Sequence, residues 1–310
     1  MVYMETAVYF CGKFDYQMEE NVIVCEHLSH SYGRRRIYSD LNFTVGRGTI
    51  TGLLGKNGTG KTTTINILMG YLRPSSGSCT VFGEDSFSIS PATRSRIALL
   101  LEGHVQYSFM NISQIEKFYS AFYPRWNRDV YYELMSRLKV SPNQRISTMS
   151  NGQKSQVALG LILAQNADLL VLDDFSLGLD PGYRRLFIEY LRDYAKSESK
   201  TVFMTSHIIQ DVEKLVDDCI VMDYGGITFH GSIDSLTSGL HRFVYDGAQL
   251  LQKSDIILNP YSFRGSCEFY SFADDSAVKA AVEAEGLTFG NLRKESLNLE
   301  DAFIGLTGKY

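Results

Sequence analysis

Gly55-Lys56-Asn57-Gly58-Thr59-Gly60-Lys61-Thr62 joins an apolar, β-branched run, Thr49 to Leu54, to a segment of helical spacing, Thr63 to Leu72. The octapeptide fits Gly-x-x-x-x-Gly-Lys-Ser/Thr, and a strand before it with a helix after it is the context that gives the pattern meaning. Glycines let consecutive backbone N–H groups curl round phosphate oxygens, and a helix N-terminus adds about half a positive charge. Lys61 brings a mobile full charge to the β- and γ-phosphates of a nucleotide. The Thr62 hydroxyl suits Mg²⁺, which prefers oxygen donors and keeps several waters. Gly55, Asn57, Gly58, Thr59, Gly60, Lys61, Thr62 and Thr63 are the candidate phosphate-binding residues.

Outward from this loop, apolar runs alternate with amphipathic stretches. Asn21 to Glu26, Leu41 to Val45 and Ser78 to Phe82 read as strands, as do Asp168 to Leu172, Thr201 to Met204 and Cys219 to Met222. Val157 to Leu163, Tyr183 to Ala195 and Ile208 to Leu215 read as helices. This alternation argues for an α/β fold with a largely parallel core sheet. From Ile112 to Val140, apolar residues recur at three and four, and Tyr123-Pro124-Arg125-Trp126 separates at least two helices of an insert. Beyond about Leu236 the pattern weakens. Strands at Arg242 to Tyr245 and Cys267 to Phe272 and helices at Ala277 to Glu285 and Leu299 to Leu306 suggest a small α+β appendage.

The apolar strand before Asp173-Asp174 places both carboxylates at the carboxyl edge of a parallel sheet, where ligands of such folds bind. Asp173 is the candidate Mg²⁺ ligand, and Asp174 the group that accepts a proton from attacking water. A solvated turn or helix cap is the structural alternative for such a pair.

The 310 residues allow one large domain and a small one, and 44% hydrophobic with 21% charged residues fit an ordinary globular chain. Thirty basic against 35 acidic residues leave a net charge of −5, so nucleic acid is not an expected partner. The five cysteines are scattered and lack a Cys-x-x-Cys pair, which favours reduced thiols. No uninterrupted apolar run nears the roughly 20 residues that span a bilayer. Residues 1–17 read as a loose extension or an upstream start rather than a signal peptide.

Met149-Ser150-Asn151-Gly152-Gln153, between the loop and the acidic pair, resembles the Leu-Ser-Gly-Gly-Gln signature of the ATP-binding cassette (ABC) family. Other motifs follow in the family's order. Tyr32 in Ser31-Tyr32-Gly33 resembles the adenine-stacking aromatic, and Gly55 to Thr62 the Walker A loop. Asp173 and Asp174 resemble Walker B and the catalytic carboxylate, and Gly178-Leu179-Asp180 the D-loop. Thr205-Ser206-His207 resembles the switch histidine. The resemblance covers about Asn21 to Leu236. It implies a P-loop ATPase fold with an antiparallel β subdomain and a helical subdomain (about 103–155) within an ABC domain at 18–236, followed by an accessory domain at 237–310. It also implies ATP and Mg²⁺ as ligands, and catalysis by Asp174, His207 and Lys61. Two cassettes, identical or not, would close head to tail, with Ser150, Asn151, Gly152 and Gln153 reading the partner's ATP and Asp180 coupling the sites.

Four residues depart from the family pattern. Asp174 stands where the family has Glu; the base sits about 1.5 Å back, and hydrolysis is slow unless a shifted backbone, hinted at by Phe175 in place of Pro, compensates. Glu102 stands for the Q-loop glutamine as a Mg²⁺ ligand, with Gln106 as a rival assignment. Asn151 replaces the first signature glycine, either donating a bond or crowding the partner's phosphate. Lys56 replaces a usual Pro, a change expected to be mild.

Phe122-Tyr123-Pro124-Arg125-Trp126 and the ending Asn298 to Gly308 are similar to single-cassette ATP subunits of bacterial ABC-2 type exporters. That likeness implies a separate permease, touched through the helical subdomain, and a place on the cytoplasmic face of the cell membrane. A weakly hydrolytic or regulatory cassette paired with a competent partner is the second reading.

Overall fold

The computed structural model describes residues 21–101, 107–175, 179–206, 208–247, 249–288 and 291–309; the expectation for residues 1–17 lies outside them. The chain begins with β1 (Asn21–Tyr32), β2 (Arg35–Gly46), β3 (Ile50–Gly55), α1 (Lys61–Leu68), β4 (Ser76–Val81), β5 (Glu84–Asp85), α2 (Pro91–Arg94) and β6 (Ile97–Leu100). Next come α3 (Ile112–Ser120), α4 (Arg128–Arg137), α5 (Asn151–Ala164), β7 (Leu169–Leu172), α6 (Pro181–Ser197), β8 (Thr201–Thr205), α7 (Ile209–Leu215), β9 (Asp218–Asp223), β10 (Gly226–Ser232) and α8 (Ile233–Gly239). The last elements are β11 (His241–Asp246), β12 (Leu258–Phe263), β13 (Ser266–Ser271), α9 (Asp275–Ala284), β14 (Arg293–Glu295) and α10 (Leu299–Thr307).

The central sheet has the order β10-β9-β3-β8-β7-β6. β3 runs parallel to β8 and β9, and β7 parallel to β8 and β6, while β10 is antiparallel to β9. Its inner parallel strands are apolar on both faces because both faces are covered, whereas the edge strand β10 is mixed in polarity. Leu53, Leu169, Val171, Phe203 and Ile220 face a cluster with α1 and the antiparallel sheet β2-β1-β4-β5. Their neighbours Leu54, Leu170, Leu172, Val202 and Val221 face α5, α6 and α7. The period of two in a strand sends successive side chains to opposite sides.

The insert forms as two helices, α3 and α4, separated by 121–127. Asn111 opens α3 with a capping box to Gln114, and Asn127 caps α4. The aromatic segment between them locks the insert to the core. Arg125 Nη1 donates to Asp168 Oδ1 at 2.8 Å, and Arg96 Nε to Asp168 Oδ2 at 2.7 Å. Burial acts against the Asp168 charge, but the two guanidiniums together hold its pKa below the usual carboxylate range. Trp126 Nε1 donates to the buried Glu116 at 3.0 Å.

Several helices differ from the sequence expectation: α6 and α9 start two residues earlier, α2 and α8 are additional, and α1 and α5 are the two that bear on the site. α1 starts earlier, at Lys61, and stops at Leu68, where Gly70 turns left-handed with φ 71°. α5 starts at Asn151 rather than Val157, because Ser150 and Gln153 form a capping box that recruits the polar signature into the first turn. The expectation lacks β5, β6, β10, β12 and β14, of which β6 lies in the parallel part of the central sheet. A four-residue apolar run carries no period that separates strand from helix, and pairing with β7 decides it.

The C-terminal chain forms an antiparallel sheet, β12-β13-β11-β14, covered by α9. α10 then leaves that layer: Leu299, Ala302 and Leu306 join the cluster under the central sheet. Among the described residues, no helix is long and apolar enough to cross a membrane, and Cys25, Cys79, Cys219 and Cys267 are buried free thiols.

Candidate functional site

β3 delivers the glycine-rich loop to the carboxyl edge of the sheet, and α1 begins at its end. Gly60 caps α1 at φ 105°, a conformation an L side chain rarely adopts. A Cβ there would also meet the Tyr38 ring at 2.6 Å. Thr59 Oγ1 donates to Lys56 O at 2.9 Å, closing the loop on itself. Lys61 is buried, and its Nζ donates to Gly55 O at 2.7 Å and Lys56 O at 3.2 Å. Burial lowers its pKa below the ordinary lysine value; Asp174 and then Asp173 oppose that shift. The ammonium is therefore held against the loop and in the field of both carboxylates.

Thr205, at the end of β8, organises those carboxylates. Its hydroxyl donates to Asp173 Oδ1 at 2.7 Å and accepts from Asp174 N at 3.0 Å. Register makes this possible, since Leu172 pairs with Met204 and Leu53 with Thr205. Asp174 itself has φ 45°, the left-handed region that Asp tolerates better than most residues. Phe175 is buried and stacks on Phe187 at 4.6 Å, so the chain after the acidic pair is pinned by an aromatic contact. Thr205 stood in a quoted motif with no role assigned; a hydroxyl partner for a carboxylate on another strand leaves no mark in local sequence.

Ser150 accepts from Gln153 N at 3.2 Å, and Gln153 Oε1 from Ser150 N at 3.1 Å. Both therefore have a local structural use as a helix cap, which leaves the signature at the N-terminus of α5 with Asn151 exposed beside it. Gly152 is buried against α6: a Cβ there would lie 2.4 Å from the Tyr183 ring. Gln156 Nε2 donates to Tyr183 O at 2.7 Å. Asp180 caps α6, accepting from Gly182 N at 3.0 Å and Tyr183 N at 3.1 Å. The signature and the segment of Asp180 thus form one packed unit.

Tyr32 is half exposed and meets the buried His30 edge-on, leaving a ring face open. Arg35, beside it in sequence, was missed: its guanidinium lies 3.6 Å from a Cβ placed on Gly58. The run Arg34-Arg35-Arg36 is the signal that would have found it. Thr62 is exposed at the start of α1, and Thr63 is buried behind it. Thr62 hydroxyl and Asp173 carboxylate are hard oxygen donors that fit Mg²⁺. His207, Glu102, its rival Gln106 and Gly178 lie outside the described residues.

Tyr107, Phe109, Phe118 and Phe122 form a chain of exposed edge-to-face rings on the insert. Contiguous exposed aromatics of this kind mark contact surfaces more than chance.

The sequence model of the family described as "ABC transporter" matches residues 38–176. The Nod factor export ATP-binding protein I of Bradyrhizobium diazoefficiens is 31% identical over 292 residues, which cover 90% of this chain and 94% of that protein. The protein of the same name from Rhizobium johnstonii is 29% identical, covering 91% and 93%. A solved structure of an ATP-binding subunit of an ABC transporter superposes with TM-score 0.62 at 23% identity, over 70% of this chain and 92% of that one. A nucleotide-free ATP-binding cassette from an ABC transporter superposes with TM-score 0.57 over 68% of this chain.

Proposed function

The chain belongs to the ABC transporter family as an ATP-binding subunit, and from that premise we propose that it hydrolyses ATP to drive an export permease. The observation that carries this reading is the convergence of Lys61, Asp173 and Asp174 at one sheet edge under the Thr205 hydroxyl. The relatives named for export, matching nearly the full length, support the direction of transport.

The residues divide the work. Gly55 and the run Asn57 to Thr63, with their backbone N–H groups and the start of α1, bind the phosphates. Lys61 moves from the loop carbonyls to β- and γ-phosphate oxygens, where its charge offsets theirs. Thr62 and Asp173 would hold Mg²⁺ together with Glu102, and the ion when bound neutralises charge between the phosphates. Asp174 takes the proton of the attacking water, and Thr205 fixes its backbone. Tyr32 stacks on the adenine. Ser150, Asn151, Gly152 and Gln153 present the N-terminus of α5 to the γ-phosphate of a second cassette, and Asp180 relays between the sites. His207 senses the γ-phosphate.

The permease seat is the aromatic face of Tyr107, Phe109, Phe118 and Phe122, within a helical subdomain at about 103–155. The chain would then work on the cytoplasmic face of the cell membrane. Domain limits at 18–236 and 237–310 follow the C-terminal sheet, with α10 returning from the second unit to the core of the first. Closure of two cassettes on ATP pushes the permease, and hydrolysis lets them reopen.

Two variants test the scheme. Lys61→Ala is expected to lose ATP binding by titration with a fluorescent analogue. Asp174→Asn is expected to elute as a dimer on a sizing column at saturating MgATP. A persistent Asp174→Asn monomer refutes ATP-driven closure. A second reading is a weakly hydrolytic cassette beside a competent partner; the left-handed, short Asp174 and exposed Asn151 favour it. Background ATPase in the purified wild-type chain, rescued by Asp174→Glu, would select that reading.

A further inference from the structure

The last turn of α10 rests on the phosphate loop. An α-helix ends in four carbonyls that lack an intrahelical donor. In α10 three of them, on Gly305, Leu306 and Thr307, find one. The last regular turn closes where Gly308 N donates to Ile304 O at 2.8 Å. Asn259 Nδ2, from β12, donates to Gly305 O at 2.8 Å and Leu306 O at 2.9 Å. Thr307 O accepts from Lys56 Nζ at 2.7 Å. Lys56 is 251 residues away in sequence, and both residues are buried. A cation at a helix C-terminus is favourable, and here it comes from the loop itself.

The main chain of Lys56 is also a hub. Its carbonyl accepts from Thr59 Oγ1 at 2.9 Å, Thr59 N at 3.4 Å and Lys61 Nζ at 3.2 Å. One residue thus holds the phosphate-binding lysine with its backbone and the C-terminal helix with its side chain. The other end of α10 is tied to α7, where Leu299 N donates to Glu213 Oε1 at 3.2 Å. α7 follows the strand that carries Thr205. α10 therefore bridges the phosphate loop and the helix leaving the carboxylate edge.

We propose that Lys56 is a positioning residue that couples nucleotide binding in the phosphate loop to the C-terminal domain through α10. The proposal rests on the ATP-binding reading above. Phosphate oxygens draw Lys61 away from the Lys56 carbonyl and fix the loop around themselves. A fixed loop holds the Lys56 ammonium on Thr307 and firms the last turn of α10. Coupling is reciprocal, so the docked helix in turn favours the ordered loop.

The test is hydrogen exchange of the full chain with and without a non-hydrolysable ATP analogue, read at 57–63 and at 304–308. In wild type and in Lys56→Arg, the analogue is expected to slow both segments, with 304–308 slowing about tenfold, the scale of one charge-assisted hydrogen bond. In Lys56→Met, 57–63 still slows and 304–308 does not. Equal slowing at 304–308 in Lys56→Met overturns the proposal, as does a wild type protected at the loop alone. No protection of 57–63 in wild type refutes the ATP-binding reading, and the proposal with it. Should Lys56→Met fail to fold, Lys56→Pro carries the residue usual at this place, and the same outcomes decide.

Discussion

Asp174→Glu sets two effects of known size against each other. Glu extends the carboxylate by one methylene, about 1.5 Å of reach. If the native Asp holds its water at that distance from the phosphate, the misplacement costs about 10²-fold in rate, or about 2.7 kcal/mol of barrier. Against the gain stands the backbone: residue 174 has φ 45°, and a side chain that lacks the local hydrogen bonding of Asp pays about 1 kcal/mol there. That penalty falls on folding and is present before and during the reaction alike. The expected outcome is a rise in kcat of one to two orders of magnitude with a melting temperature lower by about 2 °C. Phosphate release at saturating MgATP measures the first, and calorimetry of the same sample the second. A folded Asp174→Glu protein whose kcat stays within twofold of wild type refutes the argument from reach. It would mean that the left-handed turn already delivers the shorter carboxylate to its water.

Thr205→Val keeps the shape of a fully buried side chain and removes the hydroxyl that joins Asp173 to Asp174 N. It is expected to cost about 3 kcal/mol, an orphaned N–H plus a lost bond to a carboxylate, while Thr205→Ser stays near wild type in thermal unfolding; equal melting of the two would sink the bridging role. Gly152→Ala drives a methyl to 2.4 Å from the Tyr183 ring and should cost about 1–3 kcal/mol by overpacking, read by chemical denaturation. Asp168→Asn loses the ties to Arg96 and Arg125 and should cost about 1 kcal/mol at neutral pH, a partly exposed pair being screened. Because the folded pKa of Asp168 is depressed, that contribution is full above its ordinary value near about 4 and is lost as pH falls through the folded value. Wild type and Asp168→Asn should therefore converge in stability in acid, and a constant gap there would contradict the charge pairing.

Local chemistry carried much of this protein. Gly60 and Lys61 announce a phosphate loop because few other residues can curl backbone N–H groups and end them in a mobile charge. Leu169 to Leu172 announce a buried parallel strand, since a sheet covered on both faces needs apolar residues in succession. The two helices of the insert follow from spacing at three and four. Order along the chain was enough to relate Met149 to Gln153, Asp173 and Asp174 to one family.

What the sequence left open depends on groups that meet from distant parts of the chain. Ile97 to Leu100 becomes a strand only because β7 offers it an edge. Thr205 finds Asp173 through a strand register that no local pattern encodes, and Arg125, between α3 and α4, finds Asp168 just before β7. The left-handed turn at Asp174 is imposed by what holds either side of it. Lys56, which by sequence alone was a mild replacement for Pro, reaches the last carbonyl of α10. The physical reason is common to all of these. Motifs and periods are properties of neighbours along the backbone, whereas a buried polar atom takes its partner from whichever segment the packing of the sheet brings within hydrogen-bond reach.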